Sequence, residues 1–276
     1  MNVEHTCFAD VWDEALERLV REPATVSPRG LECREITNAH LVIGDATQNL
    51  FTNHERNLSY RFAVAEWLWI WYGRDDVKTI AQYNRHIANF SDNGIDFNGA
   101  YGVPVQAQWQ HVLQLLKNDA DTRQAVIQIY RVPTGPTRDL PCTLSLQFLL
   151  RDGELNVIAN MRSSDIWLGL PYDAFNFSML GNILAGQLGV GLGYLAFNLG
   201  SSHLYSSNYE QALHALRDIS SPMRSPRLPG APPTWLEGVL TTKASLGRND
   251  DVWDRYGCVL RAQSNSAALG FLEMTV

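Results

Sequence analysis

The stretches LPCTLSLQF (residues 140–148) and MRSSDIWLGLPYDAFN (residues 161–176) decide the fold of this chain. The first places Cys142 at the start of an alternating run that predicts a β-strand. The second gathers polar residues, first at 162–165 and then at 172–173, in an otherwise apolar region. Burying this much charge costs free energy unless the charges meet a ligand or one another. The two stretches together therefore predict a binding or catalytic site.

A cysteine in this setting is a candidate nucleophile. An arginine nearby lowers the pKa of a thiol, and the thiolate is the reactive form. Cys142 and Arg162 are the residues to which this applies. The competing interpretation is a small apolar side chain buried at the start of a strand, which is the commoner fate of a lone cysteine.

The composition is that of a globular enzyme. The 276 residues are 45% hydrophobic and 18% charged, with a net charge of -7, and the chain is long enough to bury a substantial core. The negative charge argues against a nucleic-acid partner, although two or three arginines still suffice for one phosphate. No apolar run approaches the roughly 20 residues that cross a bilayer, and the N-terminus is unlike a signal peptide. Four scattered cysteines argue against disulfides or a metal site and favour a cytoplasmic location.

The patterns along the chain predict mixed helices and strands without strict alternation. Helices are expected at 8–21, 60–72, 105–118, 174–188 and 207–219, and strands at 31–36, 40–44, 125–132, 143–150, 154–161 and 195–205. Arg151-Asp152-Gly153 predicts a hairpin turn, and residues 220–233 predict a long surface connection. With no repeat or linker, we expect one α+β domain over residues 1–276.

The motifs around Cys142 resemble the thymidylate synthase family. PCxxxxQF is followed by RSxDxxLGLPxxxxxxxxL and then by HLY, in the family's order. The matching residues are Pro141, Cys142, Gln147, Phe148, Arg162, Ser163, Asp165, 168–171 and 203–205, and further out Glu66, 99–102 and 121–123. The resemblance thus spans roughly residues 8–216. It implies a mixed β-sheet packed by helices, with one sheet face used for dimerisation.

The resemblance also implies a chemistry. Cys142 attacks C6 of a pyrimidine nucleotide, and C5 then captures a one-carbon unit from 5,10-methylenetetrahydrofolate. Glu66 is similar to the carboxylate that orders water and moves protons, and Tyr101 lies beside it in the family.

Binding residues follow by the same resemblance. Guanidinium groups suit phosphate geometry, and the family's phosphate ligands match Arg29, Arg162, Ser163 and Arg123. The last is donated across the interface of a homodimer with shared active sites. His203 and Tyr205 match the residues that hold the sugar 3′-hydroxyl. Asp165 and Gly169 match the pterin side of the folate site.

The most informative departure from thymidylate synthase is Asp173. The family has an asparagine there, whose amide reads uracil. A carboxyl group suits cytosine, because one oxygen accepts from the N4 amino group and a protonated oxygen donates to N3. Aspartate here resembles the cytidylate hydroxymethylases of the family, while the competing interpretation is an aspartate that caps the following helix. Asn176, three residues further on, does not occupy this position.

Other departures concern the folate side. The segment HIANFSDNGIDFNG lacks the family's tryptophan, and Phe90 is the nearest candidate. A wetter site favours addition of water over hydride transfer. Thr143 stands where the family has a histidine, and Gln124 stands where it has a second arginine, whose role Arg131 is a candidate to fill. The ending FLEMTV lacks the family's usual tail.

These residues predict an enzyme that converts dCMP, or CMP, to its 5-hydroxymethyl derivative. The first alternative is a thymidylate synthase or a dUMP hydroxymethylase. The remote alternative is a non-catalytic nucleotide- or RNA-binding relative, which the presence of Cys142, Glu66 and the arginines disfavours.

Overall fold

A computed structural model describes residues 1–133, 135–242 and 251–273. The strands are β1 (Asn2–His5), β2 (Ala24–Val26), β3 (Cys33–Ile43), β4 (Leu50–Thr52), β5 (Val126–Gln128), β6 (Thr143–Arg151), β7 (Glu154–Met161), β8 (Ser164–Asp165), β9 (Gly191–Tyr205) and β10 (Ser221–Met223). The helices are α1 (Phe8–Arg21), α2 (Tyr60–Trp71), α3 (Val77–Ile80), α4 (Gly102–Asn118), α5 (Leu170–Leu188), α6 (Tyr209–Ala215), α7 (Thr234–Thr242), α8 (Val252–Arg261) and α9 (Asn265–Glu273). Residues 274–276 of the ending FLEMTV lie outside the described residues.

One mixed sheet forms the centre of the molecule. Its strand order is β1-β3-β9-β7-β6-β5, with β2 paired to β3 and β8 paired to β9, while β4 and β10 form a separate pair. β7 runs parallel to β9, whereas β3 is antiparallel to it. The expectation of an α+β fold with a mixed sheet is confirmed.

The two faces of this sheet differ in polarity. Along β9, Phe197 and Leu199 are buried and Asn198 between them is exposed. α1 and α5 pack on the apolar side. The other side carries a polar row across four strands, joined by hydrogen bonds of 2.8–3.2 Å: His40, Asn198, Asn160 and Ser145.

Several local predictions hold because the sequence signal is strong. α1 has the predicted bounds, and ten of the twelve residues of α2 are buried, as its nearly uniform apolar sequence requires. The β6–β7 turn has φ of 53° at Asp152 and 79° at Gly153. Two successive positive φ values match the right-handed twist of a hairpin.

Other boundaries were wrong. α5 begins at Leu170 rather than at 174, because Pro171 fits the first turn of a helix. The strands predicted at 31–36 and 40–44 are one strand, which continues through Asn38 at φ 53°. Only Val126–Gln128 of the segment 125–132 forms a strand, and the helix predicted at 207–219 ends at Ala215. No helix among the described residues is long and apolar enough to span a bilayer.

Gly186 of α5 sits against the backbone of the segment that follows β10. A Cβ there would lie 2.2 Å from Leu228 O and 2.8 Å from Gly230 N. Since backbone cannot give way cheaply, we expect Gly186→Ala to destabilise the protein by about 1–3 kcal/mol. The matched control is Gly238→Ala in α7, where no atom lies within 4 Å of the new Cβ and helix propensity adds stability of up to about 1 kcal/mol. Urea unfolding of both variants gives the measurement, and equal effects would contradict this packing.

Candidate active site

Four elements bring their polar side chains close enough to act on one another electrostatically. Cys142 precedes β6, Glu66 lies on α2, Tyr101 begins α4 and Asp173 lies in the first turn of α5. Each is half-buried, so each keeps some solvent access although protein surrounds it. Burial raises the pKa of the Tyr101 phenol, and the charges of Asp173 and Cys142 raise it further. Burial also raises the pKa of Asp173, and the charge of Glu66 adds to this. The structure thus gathers the four candidate catalytic residues.

The thiol of Cys142 receives two hydrogen bonds. Arg162 Nη2 and Ser163 Oγ each lie 3.7 Å from Sγ. Burial nevertheless raises the pKa of the Cys142 thiol, and it outweighs the lowering by Arg162, Ser163 and Arg29. The expectation that a neighbouring arginine leaves this thiol with a lowered pKa was therefore wrong for the unliganded protein, because desolvation of the thiolate is the larger effect.

Arg162 is held at the thiol by the backbone. Its guanidinium donates to Pro141 O at 3.0 Å and to Leu140 O at 2.9 Å. The backbone of Arg162 also packs directly against Gly200 of β9. A Cβ on Gly200 would lie 2.7 Å from Arg162 O, so only glycine permits this contact. These contacts fix the segment between β7 and β8 against the loop that carries Cys142.

Two carboxyl groups meet between α2 and α5. Burial raises the pKa of Glu66 to about 7, and Asn176 Nδ2 donates to Glu66 Oε2 at 2.8 Å, which partly opposes this. Burial and the Glu66 carboxylate raise the pKa of Asp173 well above its usual range. Gly169, not Asp173, is the N-cap of α5, so the interpretation of Asp173 as a helix cap is wrong.

Asn176 is the residue that sequence reasoning missed. The sequence indicates only that it does not occupy the position of the family's asparagine. The available signal was its spacing, because residues three apart on a helix share a face, and Asp173 and Asn176 are three apart on α5.

His203 and Tyr205 lie on one face of β9, as their alternation predicted. Both are half-buried, while Leu204 between them is buried. Their rings meet edge to face at 5.2 Å. Asp165 of β8 is the register partner of His203. Burial lowers the pKa of His203, although Asp165 and Glu35 oppose it.

The chain matches a known protein family and a named relative. Among models of protein families, thymidylate synthase matches residues 11–231. The chain belongs to the thymidylate synthase family. A deoxyuridylate hydroxymethyltransferase of Bacillus phage SP01 is 32% identical over 216 residues, which cover 71% of this chain and 56% of the relative. The chain thus spans little more than half the length of that relative.

Members of the thymidylate synthase family use methylenetetrahydrofolate as one-carbon donor. The residues between β8 and α5 fit this cofactor. Asp165 Oδ1 accepts the N–H groups of Trp167 and Leu168, both at 2.9 Å, and its second oxygen has no hydrogen bond within the described chain. Leu168 is 48% exposed beside it. At Gly169 a Cβ would stand 3.7 Å from Asp173 Oδ2, an ordinary van der Waals contact, so Gly169 lies directly beside the Asp173 carboxyl group. A carboxylate acceptor beside an apolar wall suits a flat ring with N–H donors.

Other predicted residues of the family lie further out. Arg29 is close enough to lower the pKa of Cys142 and has the unusual φ of 55°. Arg123 is exposed in the turn before β5, and Phe90 is 63% exposed at the end of the 3-10 helix Arg85–Phe90. Arg131 donates to Asn98 O and Ala100 O and so supports the loop that carries Tyr101. Within the described ranges no cluster of His, Cys, Asp and Glu could hold a metal ion.

The environment of Cys142 predicts its reactivity. We expect the iodoacetamide alkylation rate of Cys142 to have a pH midpoint above that of an ordinary thiol, about 8.5, and Arg162→Leu to raise it further by up to about one pH unit, because a stabilising positive charge is lost. Peptide mass spectrometry separates Cys142 from the other cysteines.

Arg151→Leu is the control for this experiment. Arg151 also donates to backbone oxygens, those of Ala120, Asp121 and Leu150, but it is no partner of the thiol. A midpoint that Arg151→Leu moves as far as Arg162→Leu would rule out a direct effect of the Arg162 charge.

Proposed function

We propose that this protein is a pyrimidine-nucleotide C5 hydroxymethyltransferase that acts on dCMP, or on its ribonucleotide counterpart CMP. The observation that carries the proposal is Asp173, a carboxyl group in the first turn of α5 whose pKa burial and the neighbouring Glu66 raise well above its usual range. It replaces the amide that reads uracil in thymidylate synthases, and it lies near Cys142, whose pKa it raises.

Cys142 is the proposed nucleophile. The thiolate Sγ bonds to C6 of the base, and the electron pair of the C5–C6 double bond becomes available at C5. Arg162 and Ser163, both 3.7 Å from Sγ, stabilise the thiolate, and with Arg29 they bind the substrate phosphate. His203 and Tyr205 hold the sugar from the neighbouring strand.

Asp173 is proposed to read the base. Its protonated oxygen donates to N3 of cytosine, and the other oxygen accepts from the N4 amino group. As Sγ adds to C6, N3 becomes more basic and takes the proton from the carboxyl group. A uracil base offers N3–H and O4 instead, so a neutral carboxyl group pairs with it poorly.

Glu66 and Tyr101 are proposed to handle the remaining protons. A pKa of about 7 leaves Glu66 able both to accept and to donate a proton near neutral pH. Tyr101 stacks on Phe177 at 6.1 Å and places its phenol beside Thr143. A water held by Glu66 supplies the hydroxyl group of the product, the C5 hydrogen leaves as a proton, and the C6–Sγ bond breaks so that the C5–C6 double bond re-forms.

Methylenetetrahydrofolate, when bound, supplies the one-carbon unit at the oxidation level of formaldehyde. Asp165 and Gly169 would hold its pterin, and Phe90 is the proposed aromatic residue on that side. Addition of water in place of hydride leaves the folate unoxidised.

A second candidate is a dUMP hydroxymethylase. Its support is the phage relative, which is named as a deoxyuridylate hydroxymethyltransferase and shares 32% of the aligned residues. Thymidylate synthesis itself is a third outcome, and a non-catalytic nucleotide- or RNA-binding role is a fourth. These reactions differ in the base that enters the cleft and in the fate of the folate.

We also propose a homodimer of single-domain subunits. Arg123 is exposed in the bend before β5, as expected if it binds the phosphate in the partner subunit. The polar face of the sheet, at His40, Asn198 and Asn160, is the proposed contact surface. The four free cysteines fit a reducing compartment such as the cytoplasm.

The test of the base is release of tritium from C5-labelled dCMP, CMP and dUMP with methylenetetrahydrofolate. We expect release from a cytosine nucleotide, formation of the 5-hydroxymethyl product and no dihydrofolate absorbance. Asp173→Asn should shift kcat/KM toward dUMP by roughly ten- to hundredfold, since a mispaired buried polar group costs about 1–3 kcal/mol. The loss with cytosine should be the larger effect, because the proton donor to N3 is removed.

Each alternative has its own outcome in that assay. Preference of the parent protein for dUMP supports the second candidate, and stoichiometric dihydrofolate identifies a methylating synthase. Silence with all three nucleotides indicates a binding protein. An unchanged nucleotide ratio in Asp173→Asn would remove Asp173 from base recognition.

The shared site predicts complementation between two inactive proteins. Arg123→Ala and Cys142→Ser should each lose most activity, and mixing them should restore some, because one hybrid cleft then has both Cys142 and a partner Arg123. The measurement is tritium release after subunit exchange, which differently tagged subunits verify. Mixing two Cys142→Ser samples is the control. Exchange without recovery would exclude the shared phosphate site.

A further inference from the structure

Within the described chain, Asn176 donates a hydrogen bond to the Glu66 carboxyl group. Its Nδ2 lies 2.8 Å from Glu66 Oε2, and its side chain is 1% exposed. Its Oδ1 is buried without a hydrogen-bond partner in the described chain. A buried carbonyl oxygen without a partner is uncommon and calls for an explanation.

The groups described around Glu66 are mainly acidic, and the cations Arg162 and Arg29 act on Cys142. Asp173 faces it from α5, with Tyr101 at the start of α4 and Cys142 before β6 close to Asp173. None of the described ion pairs includes Glu66 or Asp173. Other titratable and charged groups lie on α2 or on elements packed against it: Arg61 over the Tyr83 ring, Asp76 and Glu237 on Arg74, Tyr256 against Trp67, Glu273 near Tyr60, and Asp254 and Arg255 on α8.

The chemistry of the amide makes the two carboxyl groups unequal. An N–H donor favours the ionised form of the group that it contacts. Glu66 receives this hydrogen bond, whereas Asp173 receives only the repulsion of its neighbour. The donor therefore favours ionisation of Glu66 over ionisation of Asp173.

We propose that Asn176 is a positioning residue that holds Glu66 as the carboxylate and so leaves the shared proton on Asp173. The catalytic meaning of this inference rests on the proposed function, because cytosine needs a protonated Asp173 and an attacking water needs a Glu66 carboxylate. The effect of Asn176 on the ionisation of Glu66 does not depend on any substrate.

The decisive experiment compares the stability of Asn176→Ala with that of the parent protein from pH 5.5 to 8.5. Burial raises the Glu66 pKa in the folded state above its unfolded value, so folding loses stability as pH rises through about 7. Without the donor this pKa rises further. The ratio of the unfolding constants, Asn176→Ala over parent, should therefore grow about tenfold across this range, equivalent to a shift of about one pH unit.

Asn182→Ala is the matched control. Asn182 is also buried on α5, but it bonds only to backbone, donating to Pro226 O at 2.9 Å and accepting from Leu228 N at 3.0 Å. Its destabilisation should not depend on pH. In a Glu66→Gln background the pH-dependent part of the Asn176→Ala effect should disappear, which assigns it to the Glu66 carboxyl group.

Catalysis gives the second measurement. The acidic limb of kcat should move up by about one pH unit in Asn176→Ala, with a smaller change in KM, and Asn176→Ser should restore part of the shift because a hydroxyl group also donates. A pH-independent stability difference overturns the proposal. Absence of turnover with every nucleotide, beside a stability difference that grows with pH, refutes the proposed function and leaves the role of Asn176 standing.

Discussion

Two carboxyl groups, those of Glu66 and Asp173, lie close together between α2 and α5, and none of the described ion pairs includes them. Glu66 and Asp173 come from helices that pack on each other, so their separation is set by the contact between α2 and α5. Charge that is removed from water must be paired or neutralised. Burial raises the pKa of both groups, and the Glu66 charge raises that of Asp173 further, so both favour their neutral forms. The chemistry that we propose depends on this constraint.

The sheet places the nucleophile against that proton donor. Cys142 stands before β6, and its loop is fixed by the guanidinium of Arg162 from the segment after β7. Gly200 on β9 admits the Arg162 backbone at a distance that no side chain would allow. A strand register and a glycine thus define the distance between the arginine and the sulfur, while helix packing defines the position of the carboxyl groups.

Strong local signals made part of this structure predictable. The apolar run of α2 and the turn at Asp152 led to the observed elements, and ordered motifs led to Cys142, Glu66 and Asp173. Sequence failed where an outcome depends on competing long-range effects. Nothing local indicates that desolvation outweighs the arginine at the thiol, or that Asn176 on one helix meets Glu66 on another. Ends of elements also depend on such contacts, as the early start of α5 shows.

The tryptophans of the core have an optical consequence. Trp71 of α2 and Trp109 of α4 meet edge to face, with ring centroids 4.9 Å apart and planes at 88°. Indoles held this closely in a chiral arrangement couple their electronic transitions, and near-ultraviolet circular dichroism detects fixed packing of this kind. These helices also carry Glu66 and Tyr101. The protein therefore contains an intrinsic chromophore pair whose signal reports the alignment of two walls of the cleft without any label.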